Sequence, residues 1–292
     1  MKGVVLRRCM SSVITFPVLS PSRVQTDSRA FSDPLRLSKF LLRESLLKGV
    51  RFHHPTLPLK LSRSPTTGCL SALRVRHGTG AEHKLPCTRL LIAAGAWTPK
   101  VYATLFPESH LDIGVGHLAG HSLVVKSPRW TKEHESSGCH AVFSTGKDGF
   151  SPEIFSRIGE EIYIAGLNDP TLKLPEVATE AKTSQKSVEA LKRVAQRLLG
   201  KDGTDVSDLE VLREGVCFRP TTNSGSPIIA RVPDEELGGL QTKQGPGEGG
   251  VFVAAGHGPW GISLGLGTGK VMQELIEGVG DLSADVRRLG LQ

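Results

Sequence analysis

The residues best equipped for chemistry lie near the end of the chain. Gly256-His257-Gly258-Pro259-Trp260-Gly261 follows the apolar run Val251-Phe252-Val253-Ala254-Ala255 and precedes a stretch in which Val271, Met272, Leu275 and Ile276 keep helical spacing up to Gly278. The spelling G-x-G-x-x-G between a strand and a helix superficially matches the dinucleotide fingerprint, which opens a βαβ unit of about thirty residues and needs a second strand ending in an acid. Only 14 residues follow Gly278, and they hold no β-run, so the segment reads as a closing strand–turn–helix. Its physics is unaffected. Glycines let a flat ligand approach the backbone, and a helix start at about Leu264–Gly267 would aim free N–H groups and the positive dipole end at electron-rich atoms. A tight turn with glycines only for packing is the other reading of the same residues.

Arg219, in Cys217-Phe218-Arg219-Pro220, offers a planar donor fork suited to a carboxylate; a structural pairing with an acid such as Glu214 is its alternative. His117 and His121 have the i, i+4 spacing of a zinc helix, but they lack the glutamate and enclose Gly120, so they read as strand entry. Ser224-Gly225-Ser226 lacks the apolar strand and elbow helix of a nucleophilic serine. The five cysteines, Cys9, Cys69, Cys87, Cys139 and Cys217, are odd in number and form no Cys-x-x-Cys pair. That pattern speaks against a disulfide framework or a zinc site and for a reducing compartment.

The elements that must position these residues are partly legible. Leu90-Leu91-Ile92-Ala93-Ala94 is a continuous apolar run, as expected of a strand buried on both faces of a parallel sheet, and it runs into Gly95-Ala96-Trp97. Thr98-Pro99 then carries the cap-and-proline signature of a helix start. Upstream, Asp33-Pro34 opens a helix with Leu37, Phe40, Leu41 and Leu47 on one face, closed by Gly49. Val50–Phe52 and Cys69–Val75 read as strands, the second after a turn at Pro65–Gly68. Strand-like stretches at Ser122–Val125, Ala141–Phe143 and Glu161–Ala165 precede one clear helix from about Thr183 to Leu199, whose apolar positions are Val188, Leu191, Val194, Ala195 and Leu198.

Composition bounds the rest. The 292 residues are 38% hydrophobic and 22% charged, enough for a sizeable core in about two domains. The net charge of +7 is modest for this length and comes without clustered basic runs, which argues against a nucleic-acid partner. No apolar run approaches the ~18 residues of a membrane-spanning helix. Residues 1–26 carry Lys2, Arg7, Arg8 and Arg23 and no acid before Asp27, the composition of a mitochondrial transit peptide; Pro17 and Pro21 interrupt its helix, and an unstructured leader is the other reading. Cytoplasm is the default location, with the mitochondrion as the alternative.

Taken in order, Asp33-Pro34-Leu35, Leu91–Trp97, Gly120-His121-Ser122, Ser151-Pro152-Glu153-Ile154, Phe218-Arg219-Pro220 and Gly256-His257-Gly258-x-x-Gly261 resemble FAD-dependent oxidoreductases of the D-amino acid oxidase and glycine oxidase type, and most of all their fungal branch. The resemblance covers about residues 29–279 and implies an α/β fold: an FAD-binding Rossmann-like domain with an inserted β-rich α+β substrate domain. The expected division is a leader over 1–28, FAD-binding parts over 29–116 and 216–280, the substrate domain over 117–215, and a tail over 281–292. Members of the family begin with a strand carrying G-x-G-x-x-G, which nothing before residue 33 supplies, so the FAD domain is expected to be N-terminally truncated.

The resemblance also implies site roles. Gly256, His257, Gly258 and Gly261 would contact the isoalloxazine ring, with His257 alternatively a turn residue bonded to backbone. Gly95, Ala96 and Trp97 match the segment lining the adenine-diphosphate side, with Trp97 alternatively a core aromatic. Arg219 matches the arginine that grips the substrate carboxylate. The sarcosine oxidase branch carries a flavin-linked cysteine where this chain has Cys217, but also a lysine in the turn where this chain has Pro259-Trp260; a buried free thiol is the default for Cys217. The implied function is oxidation of a small amine or amino acid by hydride transfer from the α-carbon to flavin N5, with FAD as cofactor. The alternative is a flavin-free, inactive scaffold that keeps the fold.

Overall fold

The computed structural model describes residues 33–143, 151–201 and 208–291, so the leader expected over 1–28 lies outside the described residues. Asp33 accepts the Arg36 N–H at 3.0 Å and starts α1, Pro34–Leu47, as its type requires. None of its side chains is buried, and Leu35, Phe40, Leu41 and Leu46 stay exposed. The strand expected at Val50–Phe52 does not form. Val50 and Phe52 are exposed, and pairing begins instead at β1, Thr56–Arg63, which has the length to alternate. Pro58 is tolerated there because β1 is an edge strand and its register shifts between Pro58 and Lys60.

The chain continues through β2 (Leu70–His77), β3 (Glu82–Pro86), β4 (Arg89–Ile92), a 3-10 turn at Gly95–Trp97, and α2 (Thr98–Leu105). Thr98 does not cap α2: Trp97 takes the cap position, and the Thr98 hydroxyl is buried without a partner. Then come β5 (Val115–Lys126), α3 (Lys132–Ser136), β6 (Ala141–Phe143), β7 (Glu153–Arg157), β8 (Glu161–Asp169), α4 (Gln185–Leu199), β9 (Glu210–Thr222), β10 (Ile228–Val232), β11 (Gly250–Ala255) and α5 (Gly261–Glu277).

Two compact units result, with boundaries inside α1, β5 and β9. One holds Leu118–Phe218 with the described chain up to Leu41. Its sheet runs β6-β7-β8-β5-β9, antiparallel from β6 to β5. The apolar stripe of α4 follows the helical period and buries Val188, Leu191, Val194, Ala195 and Leu198 against Leu123, Val125, Ile154, Ile162 and Ile164. Ser184 caps the helix by accepting the Ser187 N–H.

The other unit holds Leu42–His117 and the chain from Arg219 onward. It contains the antiparallel meander β1-β2-β3 and the sheet β10-β11-β4, in which β11 pairs antiparallel with β10 and parallel with β4. Val251, Val253 and Ala255 point from β11 into a core with Ile92, Ile228, Leu70, Tyr102 and Leu105. On the opposite face Phe252 and Ile229 meet Val271 and Met272 of α5. The expectation for Leu90–Ala94 is corrected here: Ile92 is 3% exposed but Leu91 is 40% exposed, because β4 pairs only with β11 among the described strands and α5 roofs Phe252 rather than Leu91.

Candidate functional site

Parallel pairing sets the site. Ile92 lies opposite Val253, and three residues beyond each of them the chain reaches a left-handed glycine, Gly95 at φ 56° and Gly256 at φ 83°. The two turns therefore stand side by side at the carboxyl edge of β4 and β11, where α/β sheets hold ligands. Gly256 has a second reason to lack a side chain: a Cβ there would sit 2.5 Å from Thr222 Cγ2. Gly258, at φ 54°, has no atom within 4 Å of where a Cβ would lie, so the turn is open on that side.

The helix after the turn starts earlier than its sequence pattern implies. Gly258–Trp260 forms a 3-10 turn that feeds directly into α5 at Gly261, not at Leu264–Gly267. The unsatisfied N–H groups and the positive end of the helix dipole thus sit at the turn itself. Around Gly265, Gly267 and Gly269 the helix also has no neighbour within 4 Å of a would-be Cβ, and Ile262, Leu264 and Leu266 are exposed.

His257 is half-buried, and burial holds its pKa below the usual imidazole value, so the ring is neutral near pH 7. Its Nε2 lies 2.9 Å from Thr268 Oγ1 on α5. On the other turn Ala96 is buried, and the Trp97 N–H donates to the Ala94 carbonyl at 3.0 Å.

Arg219 sits half-buried near the end of β9 in the same unit as both turns. Thr222, three residues on, is the residue whose methyl meets Gly256, so the end of this strand reaches the turn. By strand alternation Arg219 shares a face with Cys217 and Thr221, and Thr222 lies on the other. Glu214, the acid weighed as a structural partner for Arg219, pairs with Lys192 Nζ at 3.1 Å. Cys217 is exposed, which corrects the expectation of a buried thiol.

Thr222 and Thr268 went unnoticed in the sequence. No motif marks them, because each acts on the turn through a contact made in three dimensions. His121 belongs to neither turn: it lies on β5, 1% exposed, and its Nε2 accepts the Ser184 N–H at 3.0 Å. Among the described residues no group of three or more His, Cys, Asp or Glu side chains is placed to hold a metal ion, and no helix is long and apolar enough to cross a membrane. Open glycine backbone at two adjacent turns, with a helix N-terminus at one of them, fits a flat ring that takes on negative charge.

The family model described as FAD dependent oxidoreductase, DAO, matches residues 21–275. The chain belongs to this family. It is 31% identical over 199 residues to C1F5.03c of Schizosaccharomyces pombe, a protein named as an oxidoreductase, covering 66% of this chain and 43% of that one. To TDA3 of Saccharomyces cerevisiae, named likewise, it is 24% identical over 208 residues, covering 69% and 34%. The chain therefore spans less than half the length of these relatives.

Solved structures agree on the fold. Glycine oxidase from Geobacillus kaustophilus superimposes with a TM-score of 0.62 at 21% identity, covering 88% of this chain and 57% of that one. L-proline dehydrogenase from P. horikoshii gives a TM-score of 0.66 at 13% identity, covering 91% and 60%. The architecture is thus the mixed α/β fold of the glycine oxidase type, as the ordered motifs imply.

Proposed function

We propose that this chain carries the ring-binding edge of an FAD-dependent oxidoreductase that oxidises a small amine or amino acid. The observation that carries this reading is the pairing of two left-handed glycine turns, Gly95 and Gly256, at the carboxyl edge of one parallel strand pair, with α5 starting at Gly261. Family membership and the names of the neighbours, glycine oxidase and L-proline dehydrogenase, support the substrate class.

When bound, the flavin supplies the two-electron acceptor. The chain's own contribution is positional. The backbone N–H groups of Gly258 and Gly261 would stabilise negative charge on the ring, Pro259 having none and Trp260 giving its own to the His257 carbonyl, and the glycines leave room for its approach. Arg219 fixes a substrate carboxylate with its donor fork, which sets the direction in which the α-carbon faces. An amino acid that gives up a hydride from its α-carbon to the flavin and a proton from its nitrogen would become an imine, which water would hydrolyse to ammonia and an oxo acid.

The test is direct. Protein mixed with FAD and passed through gel filtration is expected to keep flavin absorbance, and that absorbance to bleach when an amino acid is added without oxygen. Colourless protein after the column would overturn the reading in favour of a flavin-free scaffold. In loaded enzyme, Arg219→Met removes charge-assisted hydrogen bonds worth about 1.5–3 kcal/mol, so KM for carboxylate-bearing substrates rises roughly 10–100-fold while that for simple amines holds.

A further inference from the structure

The His257 ring is tied at one nitrogen and open at the other. Nε2 lies 2.9 Å from Thr268 Oγ1, while Nδ1 has no hydrogen-bond partner among the described residues and is not among the buried unpartnered atoms. Nδ1 therefore reaches solvent, next to Gly258, whose would-be Cβ has nothing within 4 Å. A neutral imidazole carries one proton, so the bond at Nε2 decides whether Nδ1 donates or accepts.

The half-buried hydroxyl of Thr268 decides it. The Thr268 hydroxyl has no other hydrogen bond among the described residues, so its own proton is available for the lone pair of Nε2.

We propose that Thr268 is the positioning residue of this turn: its hydroxyl donates to His257 Nε2, which places the ring proton on Nδ1 and makes that atom a donor to the electron-rich edge of a bound flavin. The statement about the flavin rests on the proposed function; the statement about the proton does not. Thr268 touches no reacting atom and acts through His257. The pair adds a side-chain donor to the backbone N–H groups of the turn, at the place where reduced flavin is most negative.

The experiment separates the two statements. Histidine is labelled with nitrogen-15 in the flavin-free chain, and His257 is assigned by the loss of its signals in His257→Asn. The expected spectrum has a protonated Nδ1 and an unprotonated Nε2. Thr268→Ser keeps that pattern, whereas Thr268→Val averages the two nitrogens as both tautomers become populated. A proton on Nε2, or an unchanged pattern in Thr268→Val, overturns the assignment. FAD affinity is then read by quenching of flavin fluorescence. Thr268→Val is expected to bind roughly tenfold more weakly and Thr268→Ser as the parent does, consistent with one hydrogen bond to a charged group. Equal affinities with the tautomer result intact overturn the donor role, whereas no binding by the parent overturns the proposed function and leaves the tautomer result standing.

Discussion

At the scale of single residues, the turn is held by steric exclusion and the start of α4 by a buried imidazole. Gly256→Ala must accept both φ 83° and a Cβ 2.5 Å from Thr222 Cγ2. The left-handed conformation alone costs roughly 1–2 kcal/mol for a residue with a Cβ, so a loss of about 2 kcal/mol or more is expected in urea denaturation, with weaker FAD retention. Gly258→Ala, with the same backbone penalty but open space, is the control for the clash. His121 gives a pH dependence. Burial pushes its pKa below the ordinary 6.5, against a smaller opposing pull from Asp169. The unfolded chain therefore takes up a proton at higher pH than the folded one, and the stability it confers is complete above about 6.5 and drains away as pH falls below it. Protonation also requires Nε2 to give up the Ser184 N–H that anchors the start of α4. His121→Gln should flatten the decline in denaturation midpoint between pH 7.5 and 5; an undiminished decline would assign it to other groups.

At the scale of elements, α5 does two things with its two halves. Its first half is exposed glycine-rich helix beside the turn, and its second half buries Val271 and Met272. Glu274 links that buried half to the tail. Its carboxylate accepts the Ser283 N–H at 2.9 Å and the Ser283 hydroxyl at 2.5 Å and pairs with Lys270 at 3.1 Å, and these bonds hold its pKa down to about 2. Glu274→Gln weakens all three contacts, so the segment carrying Leu282, Val286 and Leu289 should loosen from the Phe252 cluster. Amide exchange of that segment, and of Ile229, whose N–H donates to the Leu289 carbonyl at 2.7 Å, is expected to rise while β4 and β11 stay protected. Because the folded pKa lies below the ordinary 4.5, the parent loses this contribution as pH falls from there toward 2, and the variant has none to lose. Sequence pattern found α4 within two residues, since a 3.6-residue apolar stripe on a covering helix is a strong local signal. It misplaced the start of α5, where glycines that leave room for a ligand carry no apolar period.

At the scale of the whole molecule, the buried residues fall into separate clusters, and the chain crosses between its units within α1, β5 and β9. Leu191, fully buried in the α4 cluster, should cost about 2–5 kcal/mol when cut to alanine. Amide exchange is expected to quicken in α4, β5 and β8, the elements that share its core; protection unchanged there would mean that the helix is not what stabilises the sheet.

Residue types alone marked the closing strand, its glycine turn, the α4 stripe and the order of motifs that places the chain in its family. These are local demands: a positive φ calls for glycine, and a covering helix calls for its apolar period. That β4 lies beside β11, that Thr222 fills the space under Gly256, that Thr268 holds His257 and that Glu214 pairs with Lys192 became visible only in three dimensions. Each joins side chains or backbones far apart in the chain or outside any repeating pattern, and such contacts are selected by complementary packing rather than by what any one residue prefers on its own.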